Sequence, residues 1–467
     1  MFVCLAKFGE RTALVTSEGE HWSYNRVVYE ADRLASQLRV RSVGFVFCKN
    51  DLPSILFYVG CLRRRVVLLM LSPETPPDRI QALLQAYRPE FLFGSSSMVE
   101  GEWISCTGIS ERLYGYSLVK LQDATGFNPI DDGLALLMST SGSTGSPTFV
   151  RQSYANLEAN AESIVLSLCM RAEDRAITTL PLSYTYGLSI VNSHFHLGAS
   201  LVLNNSSVTD RTFWTLLQST KANNFGGVPY TYEMLRRLGY GFLKTSGIRY
   251  LTQAGGRLRP EWVAEIATIC REAGVGFYVM YGQTEASPRM SVLSSNEALE
   301  RPDSIGRSIP GGRFWVEVDS GSTDIGDSAI GELIYAGPNV ALGYASCRAD
   351  LSRPDDFKGV LRTGDLASID SDGFVKIVGR KKRFVKLFGN RTSLEDIEAY
   401  LGSKGIECAC VGTDDKLVVY VVGVDESEVR SLVSDFCRVH RSAIRVVNIP
   451  QLPRAESGKI MYSALQA

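Results

Sequence analysis

The sequence predicts an α/β protein of two domains, and two features of its pattern carry that prediction. Helix-like and strand-like runs alternate from the N-terminus to about Asp303, for example "SILFYVGCLRR" followed by "VVLLMLS". Such alternation is typical of mostly parallel sheets flanked by helices. Beyond Asp303, short strand-like runs joined by Gly and Asp turns replace it, and they predict a small β-barrel-like part at the end of a large N-terminal domain.

Within the N-terminal part, apolar residues recur at helical spacing and then give way to apolar stretches of strand length. The first predicted helix lies within "HWSYNRVVYEADRLASQLRV". The helix-to-strand units that follow are "PDRIQALLQAYRPEFLFG", "ANLEANAESIVLSLCM" with "HLGASLVLN", "WTLLQSTKANNFGGVP" and "PEWVAEIATICREAGVGFYVMYG". Residues 133–138, "GLALLM", predict a short buried strand.

The basic run "RKKRFVK" marks the boundary between the two predicted domains. We place the N-terminal domain at residues 1–379 and a small α+β C-terminal domain at residues 380–467. The segment "SLEDIEAYLGS" predicts a helix, because Ser393 suits the N-cap position and acidic residues occupy the first turn. The residues after that helix predict βαββ-like units.

The composition is that of an ordinary globular protein, with 45% hydrophobic and 21% charged residues among 467. A net charge of −1 offers no electrostatic attraction to nucleic acid, so we expect no nucleic-acid partner. The longest apolar runs, such as "VVLLML", fall far short of the roughly 20 residues that a membrane-spanning helix needs.

The cysteine pattern argues against a zinc site and against a redox dithiol. The ten cysteines are scattered along the chain, and the closest pair, Cys408 and Cys410, does not form a CxxC motif. Free thiols in a large chain are typical of a reducing compartment. The apolar start of the sequence meets charge at Lys7, too early for the core of a signal peptide. We therefore expect a cytoplasmic protein.

A loop rich in Ser, Thr and Gly follows the strand predicted at residues 133–138. Its sequence from Ser139 is "STSGSTGSPTFVR". Glycines let backbone N–H groups converge on an anion, and Ser and Thr hydroxyls add further donors, so the loop predicts a phosphate site. A plain surface turn of the same composition is the alternative. The loop does not fit the Walker A pattern, which ends in lysine.

Several further motifs occur in a fixed order after this loop. They are "LPLSYTYGLS" (180–189), "GVPYTYEML" (227–235), "QAGGRL" (253–258), "YGQTE" (281–285), "GELIYAGPNVALGYA" (331–345), "TGD" (363–365), "VGRKKR" (378–383) and "SGKIMY" (457–462). Together with the Ser/Thr/Gly loop, they resemble the adenylate-forming superfamily of acyl-CoA synthetases, peptide-synthetase adenylation domains and luciferases. The resemblance extends from about Glu10 to the end of the chain, and it is closest to stand-alone acyl-acid ligases.

The resemblance implies a reaction in two steps. A carboxylic acid attacks the α-phosphate of ATP, giving acyl-AMP and pyrophosphate, and a phosphopantetheine thiol then attacks the acyl-adenylate. The expected cofactors are ATP and Mg²⁺, and the thiol belongs either to coenzyme A or to an acyl carrier protein. Phosphoryl chemistry of this kind depends mainly on positioning and on neutralising charge.

The resemblance also implies roles for single residues. Thr284 would donate to the α-phosphate, and Glu285 would bind Mg²⁺, a cation that prefers carboxylate and phosphate oxygens. Asp365 would accept from both ribose hydroxyls, and Arg380 would hold ribose or phosphate oxygens. The residues implied around the β- and γ-phosphates and the adenine are Ser141, Gly142, Ser143, Thr144, Gly145, Gly255, Gly256 and Tyr281.

Three lysines of the C-terminal part have implied roles. Lys459 would reach the α-phosphate from a polar tail segment, where we expect little burial. Lys382 occupies the family's hinge position, about which the C-terminal domain is mobile between the two half-reactions. In the second orientation the segment "FVKLFG", which contains Lys386, would face the thiol.

The acid pocket implied by the resemblance is formed by Tyr184, Phe225, Gly226, Val228 and Pro229, together with "QAGG". The alternative for Tyr184 is a plain core aromatic. The segment "PLSYTYGLSI" offers no carboxylate, and an ammonium without a counter-charge would be poorly solvated there, so we favour an acid without an α-amino group. An amino-acid-activating enzyme and a catalytically weak nucleotide-binding relative with a regulatory role remain alternatives.

Thr148 departs from the family pattern, which has a lysine at the end of the phosphate loop. Arg151 is one candidate for a substitute charge. If the chain after Pro147 is extended, however, residues 148 and 151 point to opposite faces. We therefore expect that the charge is missing and that Arg151 does not replace it.

Overall fold

The computed structural model describes residues 2–100, 106–121, 129–139, 148–318, 329–381, 383–387, 390–413, 416–455 and 458–465. Within these ranges the helices are α1 Tyr24–Ala35, α2 Leu52–Arg63, α3 Pro77–Tyr87, α4 Ser96–Val99, α5 Tyr154–Ser167, α6 Thr185–Leu197, α7 Arg211–Thr220, α8 Pro229–Leu238, α9 Pro260–Glu272, α10 Ser295–Glu300, α11 Leu394–Ser403 and α12 Glu426–Cys437.

The strands of the described ranges follow in chain order. They are β1 Thr12–Val15, β2 His21–Ser23, β3 Val43–Phe47, β4 Val67–Leu71, β5 Phe91–Ser95, β6 Cys106–Leu113, β7 Tyr116–Leu121, β8 Leu134–Ser139, β9 Phe149–Ser153, β10 Arg175–Ile177, β11 Ser200–Val202, β12 Asn224–Gly227, β13 Tyr250–Gln253, β14 Gly276–Gly282, β15 Arg289–Leu293, β16 Arg307–Ser308, β17 Arg313–Glu317, β18 Gly331–Ala336, β19 Tyr344–Ala345, β20 Val360–Ile369, β21 Val375–Arg380, β22 Phe384–Leu387, β23 Asn390–Ser393, β24 Cys408–Thr413, β25 Lys416–Val421 and β26 Ile444–Asn448.

Two large mixed sheets form the body of the N-terminal part. One has the order β16-β15-β14-β13-β12-β10-β11-β1-β2, and its strands from β14 to β1 run parallel. The other has the order β19-β9-β8-β4-β3-β5-β7-β6, with a parallel centre from β8 to β5. Antiparallel strands close the edges of both sheets. The predicted α/β class, with parallel sheets flanked by helices, is confirmed.

The main hydrophobic core combines residues of both large sheets with residues of the helices α1, α2 and α6. Helix α2 shows how sequence dictates its position, because "LPSILFYVGCL" is apolar on every side and every residue from 52 to 62 is buried. A helix that is hydrophobic all round is stable only inside a protein. Asp51 caps this helix, since its side chain accepts from the backbone N–H of Ser54.

The strand-rich part beyond Asp303 contains a four-stranded antiparallel sheet with the order β17-β18-β20-β21. The pairing of β20 with β21 places Asp365 opposite Arg380. Two residues predicted from distant motifs thus become neighbours across one ladder.

The residues from 383 onwards form a hairpin of β22 and β23, a sheet with the order β24-β25-β26, and the helices α11 and α12. Their apolar side chains make a hydrophobic cluster of their own, from Val385 to Val446. The predicted helix α11 is confirmed, and Ser393 caps it by accepting from the N–H of Asp396 at 3.2 Å. The position of the domain boundary stays a prediction.

Across the described ranges, none of the helices combines the length and the apolar character needed to cross a membrane.

Candidate active site

Thr284 lies where three segments of the N-terminal part converge. It follows β14 at the carboxyl end of the parallel sheet, the edge at which α/β proteins bind ligands. Its hydroxyl accepts from Thr185 Oγ1 at 3.2 Å and lies 3.5 Å from the carbonyl oxygen of Ser139, the last residue of β8. The side chain of Gln152 donates to the Thr284 carbonyl at 2.8 Å. Thr284 is therefore fixed beside the start of the Ser/Thr/Gly loop.

Glu285 presents a carboxylate next to Thr284. The Tyr344 hydroxyl donates to its Oε1 at 2.8 Å, and the Ala341 N–H donates to its backbone carbonyl at 2.8 Å. Its Oε2 has no hydrogen-bond partner among the residues that the structure describes. A free carboxylate oxygen beside a phosphate site suits a hard cation. No group of three or more His, Cys, Asp or Glu residues that could hold a metal occurs in the described ranges, so Glu285 would need phosphate oxygens as further ligands.

Asp365 is almost fully buried, at 2% exposure, and three side chains donate to its carboxylate. The Tyr281 hydroxyl and Gln283 Nε2, the latter at 3.0 Å, contact Oδ2, while Arg380 Nε contacts Oδ1 at 3.1 Å. Burial and the Asp365 charge both raise the pKa of Tyr281, so its hydroxyl stays a neutral donor. The carboxylate is thus held in place as an acceptor.

Gln283 is a site residue that the sequence analysis missed. It also donates to the Thr363 carbonyl at 2.9 Å, which joins the turn after β14 to strand β20. Its position within "YGQTE" was the only signal in the sequence. The motif does not reveal which strand the Gln283 amide contacts, because that depends on how the sheets assemble.

Lys459 reaches this region from the C-terminal tail. Its Nζ lies 5.1 Å from the centre of the Tyr184 ring, and it is partly buried, contrary to the expectation of an exposed tail. Burial, with a smaller effect from the charge of Arg380, lowers the pKa of Lys459 to about 8, and Glu285 acts in the opposite direction. The apolar surface that buries it comes from a part of the chain far away in sequence.

The tail that carries Lys459 is packed against the predicted acid pocket. A Cβ at Gly458 would lie 3.0 Å from Val228 Cγ2. Arg454 donates to the Gly458 carbonyl at 3.0 Å and lies 5.2 Å from the centre of the Tyr230 ring. These contacts hold the lysine over Tyr184.

The pocket residues Tyr184, Gly255 and Val228 lie together. Gly255 has φ +83°, a conformation that favours glycine, and a Cβ there would clash with the Tyr184 hydroxyl. Gly256 lies close to Pro229, since a Cβ added at position 256 would be 3.1 Å from Pro229 Cγ. The "QAGG" segment therefore borders the predicted acid pocket, while the role predicted for its glycines at the adenine stays a prediction.

Phe225 was predicted to line the acid pocket, and the structure shows that it does not. Its ring packs in the core against Phe213 and Trp214, at centroid distances of 5.6 and 6.5 Å. Because successive strand residues point to opposite faces, Gly226 faces Tyr186 instead, and a Cβ there would lie 2.8 Å from the Tyr186 hydroxyl. Phe225 therefore supports the pocket from behind and does not line it.

The sequence profile of the family described as "AMP-binding enzyme" matches residues 2–345, which is most of the chain. This chain belongs to the AMP-binding enzyme family. The predicted membership of the adenylate-forming superfamily is confirmed. The matched region contains Thr284, Glu285 and the predicted acid pocket, whereas Asp365, Arg380 and Lys459 lie beyond it.

Curated relatives of this AMP-binding enzyme include ligases that use coenzyme A. The 2-succinylbenzoate–CoA ligase of Bacillus licheniformis is 28% identical over 350 residues, covering 72% of this chain and 70% of that protein. The medium-chain fatty-acid–CoA ligase of Escherichia coli is 29% identical over 503 aligned positions, covering 98% of this chain and 87% of that protein.

Solved structures show the same fold. The o-succinylbenzoate CoA synthetase of Bacillus subtilis, in complex with its acyl-adenylate intermediate, has a TM-score of 0.79 at 22% identity, covering 100% of this chain and 97% of that chain. A structure of the same synthetase with ATP and magnesium ion has a TM-score of 0.76, also at 22% identity, covering 99% of this chain and 98% of that one.

Some predicted site residues of this AMP-binding enzyme lie outside the described residues. They are Ser141, Gly142, Ser143, Thr144, Gly145 and the hinge residue Lys382. The backbone of Lys386 lies in β22, opposite Arg391, while its side chain is not described.

Arg151 does not replace the lysine missing at position 148. It is completely buried, and its Nη2 contacts Asp356 Oδ2 at 2.7 Å. The guanidinium also donates to the carbonyls of Arg353, at 2.6 Å, and Leu342, at 2.8 Å. The Oγ1 atom of Thr148 instead lies 3.0 Å from the Oγ atom of Ser346. The expectation that Arg151 does not supply the missing charge agrees with these contacts.

Restoring the lysine in Thr148→Lys is expected to increase kcat/KM for ATP at saturating acid by roughly three- to thirty-fold. A partly solvated charge near the phosphates is worth about 1–2 kcal/mol. Arg151→Ala is the contrasting variant, and it should lower the melting temperature because buried carbonyls lose their donor and Asp356 keeps only Arg353 as an ion-pair partner. No gain in Thr148→Lys, together with a specific loss of ATP affinity in a stable Arg151→Ala protein, would contradict this view.

The pKa of Lys459 predicts a pH dependence for adenylation. The ammonium is charged below about pH 8 and neutral above it, so kcat/KM should fall as the pH rises through that value, by up to about tenfold per pH unit. The measurement is the initial rate of pyrophosphate release between pH 6.5 and about 9.5. Lys459→Arg should lose activity overall but remove this fall, because arginine stays charged over the whole range. An unchanged profile in that variant would assign the titration to another group.

Proposed function

We propose that this chain activates a carboxylic acid with ATP and transfers the acyl group to a phosphopantetheine thiol. The observation that carries the proposal is the convergence of four residues from three separate segments around one edge of the parallel sheet. They are Thr284 with its neighbour Glu285, Asp365, and Lys459. The family membership and the ligase relatives support the same reaction.

In the first step, the chain positions the two reactants and neutralises charge. The hydroxyl of Thr284 donates to the α-phosphate, and the Lys459 ammonium stabilises the negative charge that develops there. The buried carboxylate of Asp365 accepts from the ribose hydroxyls and so fixes the nucleotide. A bound Mg²⁺, held by Glu285 and the phosphates, would supply further charge neutralisation, and the unpartnered Oε2 of Glu285 fits that ligand role.

The second step requires that Lys459 withdraw from the adenylate so that the thiol can enter. We propose that the C-terminal domain, residues 380–467, turns about Lys382 relative to the N-terminal domain, residues 1–379. The observed contact of Lys459 with Tyr184 supports an arrangement suited to adenylation. In the other arrangement Lys386 would face the thiol.

Coenzyme A is the thiol acceptor that the relatives' names favour, and an acyl carrier protein is the alternative. An amino acid is a less suitable substrate. Of the described residues that line the cavity beside Gly226, none is a carboxylate that could pair with an α-ammonium.

A panel of carboxylic acids tests the proposal. Pyrophosphate release is measured with ATP, Mg²⁺ and each acid, with hydroxylamine added to trap the acyl-adenylate. Productive acids are then assayed for thioester formation with coenzyme A and with a phosphopantetheinylated carrier protein. Turnover with any acid supports an enzyme, whereas nucleotide binding without turnover of any acid would favour a regulatory relative.

A further inference from the structure

A buried arginine without a carboxylate partner lies beside the acid pocket. Arg289, the first residue of β15, is 2% exposed. Its guanidinium carbon lies 4.1 Å from the centre of the Tyr186 ring, and Nη2 donates to Ser189 Oγ at 3.3 Å. Ser189 is the only hydrogen-bond partner of the guanidinium among the described residues, and Nε has none there. A buried cation left in this state lacks the counter-charge that normally compensates desolvation.

The arginine borders a small cavity lined with polar groups. Its polar lining comprises Arg289, Ser189, Ser193, Asn224, Tyr250 and Thr252. The Tyr250 hydroxyl is buried and has no hydrogen-bond partner in the part of the chain that the structure describes. The cavity therefore contains two unused donors, one of them charged, and no acidic side chain among its described lining residues.

Neighbouring titratable groups do not supply the missing negative charge. His194 also lines the cavity, and burial lowers its pKa to about 4, so it is neutral. The carboxylate of Asp174, near Tyr250, is already paired with Arg249 through both oxygens. Among the described residues, none that faces Arg289 supplies a negative charge, and a bound acid would supply one.

A series of ring contacts connects this cavity to the reaction centre. Lys459 lies over Tyr184, Tyr184 packs edge to face on Tyr186 at 6.2 Å, and Arg289 lies over Tyr186. Gly226, a predicted pocket residue, also lines the cavity. These contacts place Arg289 two aromatic rings away from Lys459, so an acid that reaches both residues must pass beside Tyr184 and Tyr186.

We propose that Arg289 binds a second carboxylate of the substrate, so that the acid activated by this enzyme is a dicarboxylic acid. This inference rests on the proposed acid-activating function and names its substrate class. The guanidinium offers Nε–H and Nη–H donors to one carboxylate, and the Tyr250 hydroxyl can add a further hydrogen bond. The free volume of the cavity is about 10 Å³, roughly the space of one water molecule, so the surrounding side chains must shift to admit a carboxylate.

Matched pairs of acids test the proposal on the wild-type enzyme. Straight-chain diacids from malonate to suberate, and the aromatic diacids phthalate and homophthalate, are each compared with their half-amides, which keep the shape but remove one charge. We expect kcat/KM for the best diacid to exceed that of its half-amide by about 30-fold or more. Equal rates for diacid and half-amide across the panel, or a preference for neutral monoacids, would overturn the inference and leave the acid-activating function intact.

Arg289→Met gives the second test. It should lower kcat/KM for the preferred diacid by about 30-fold while changing that of the half-amide by less than about threefold. Arg289→Lys, which keeps the charge, should recover part of the preference, and melting temperatures and KM for ATP show whether both variants are folded. Equal losses for diacid and half-amide would assign Arg289 a structural role only.

A separate binding measurement distinguishes failure of this inference from failure of the proposed function. If no acid of any class releases pyrophosphate, the proposed function fails. The rise in melting temperature that each diacid causes in the wild-type protein, compared with that caused by its half-amide, then tests whether Arg289 binds a carboxylate, independently of catalysis. Stabilisation by a diacid that is absent in Arg289→Met supports the site, and equal stabilisation by both members of every pair contradicts it.

Discussion

Replacing Lys459 with alanine is expected to slow the formation of acyl-AMP by about 10²–10³-fold while leaving the protein folded. The ammonium is the only cation that the C-terminal tail places over Tyr184 in the described structure, and we propose that it stabilises the charge that develops at the α-phosphate. Removal of one preorganised hydrogen-bond donor from an oxyanion site costs about 2.7–4 kcal/mol, and we expect a loss of at least this size for a charged donor. The measurement is single-turnover formation of hydroxamate from acid, ATP and hydroxylamine.

The same variant should transfer the acyl group from preformed acyl-AMP to the thiol at close to the wild-type rate, because the proposed second arrangement removes Lys459 from the site. A matched control is Lys416→Ala, which removes an exposed lysine of β25 from the same part of the chain. If both half-reactions of Lys459→Ala fall equally, the two-arrangement mechanism is wrong. If Lys416→Ala behaves in the same way, the effect is not specific to the site.

Replacing Asp365 with asparagine is expected to raise KM for ATP by about 100-fold, with a smaller effect on kcat. The change substitutes a neutral amide for a carboxylate that is proposed to accept from both ribose hydroxyls, and hydrogen bonds to a charged group are worth about 1.5–3 kcal/mol each. Arg380 and Tyr281 also lose their charged acceptor, so the melting temperature should fall. Steady-state kinetics and calorimetric binding of AMP measure the nucleotide effect directly.

Asp372→Asn is a suitable control for this prediction. Asp372 lies in the exposed turn after β20 and pairs with Arg301 at 2.6 Å, so the variant removes the same charge outside the nucleotide site. It should leave KM for ATP unchanged. An Asp365→Asn protein that loses stability but binds AMP normally would show that the carboxylate supports the sheet and does not hold the ribose.

The two predictions with the largest effects both depend on the surroundings of a charged residue. The sequence motif located the carboxylate of Asp365 correctly, but it did not reveal the burial of Lys459. The structure shows in addition that three side chains, those of Tyr281, Gln283 and Arg380, donate to the Asp365 carboxylate. For Lys459 the polar neighbours "PRAESGK" suggested exposure, whereas the lysine is partly buried against Tyr184. Local polarity predicts exposure poorly when the covering surface comes from another part of the chain.

The surroundings of Arg289 also come from segments that are far away in sequence. Arg289 follows "YGQTEASP" closely in sequence, yet its position as an unpaired buried cation depends on α6, which supplies Ser189 and Tyr186, and on β13, which supplies Tyr250. Arg151 is the opposite case. Its commitment to Asp356 became visible only in the structure, although the alternation of side chains along an extended strand had already separated it from Thr148.

The sequence by itself determined the alternation of helices and strands, the buried helix α2, the Ser393 cap and the order of the motifs. These features depend on neighbours along the chain, through apolar periodicity and the hydrogen-bonding capacity of single residues. Only the tertiary structure decided that Gln283 holds Asp365, that Phe225 faces the core, and that Arg289 has no counter-charge among the described residues. Burial and partnership of a polar side chain arise between segments far apart in sequence, and the free energy of a buried charge depends on that whole environment.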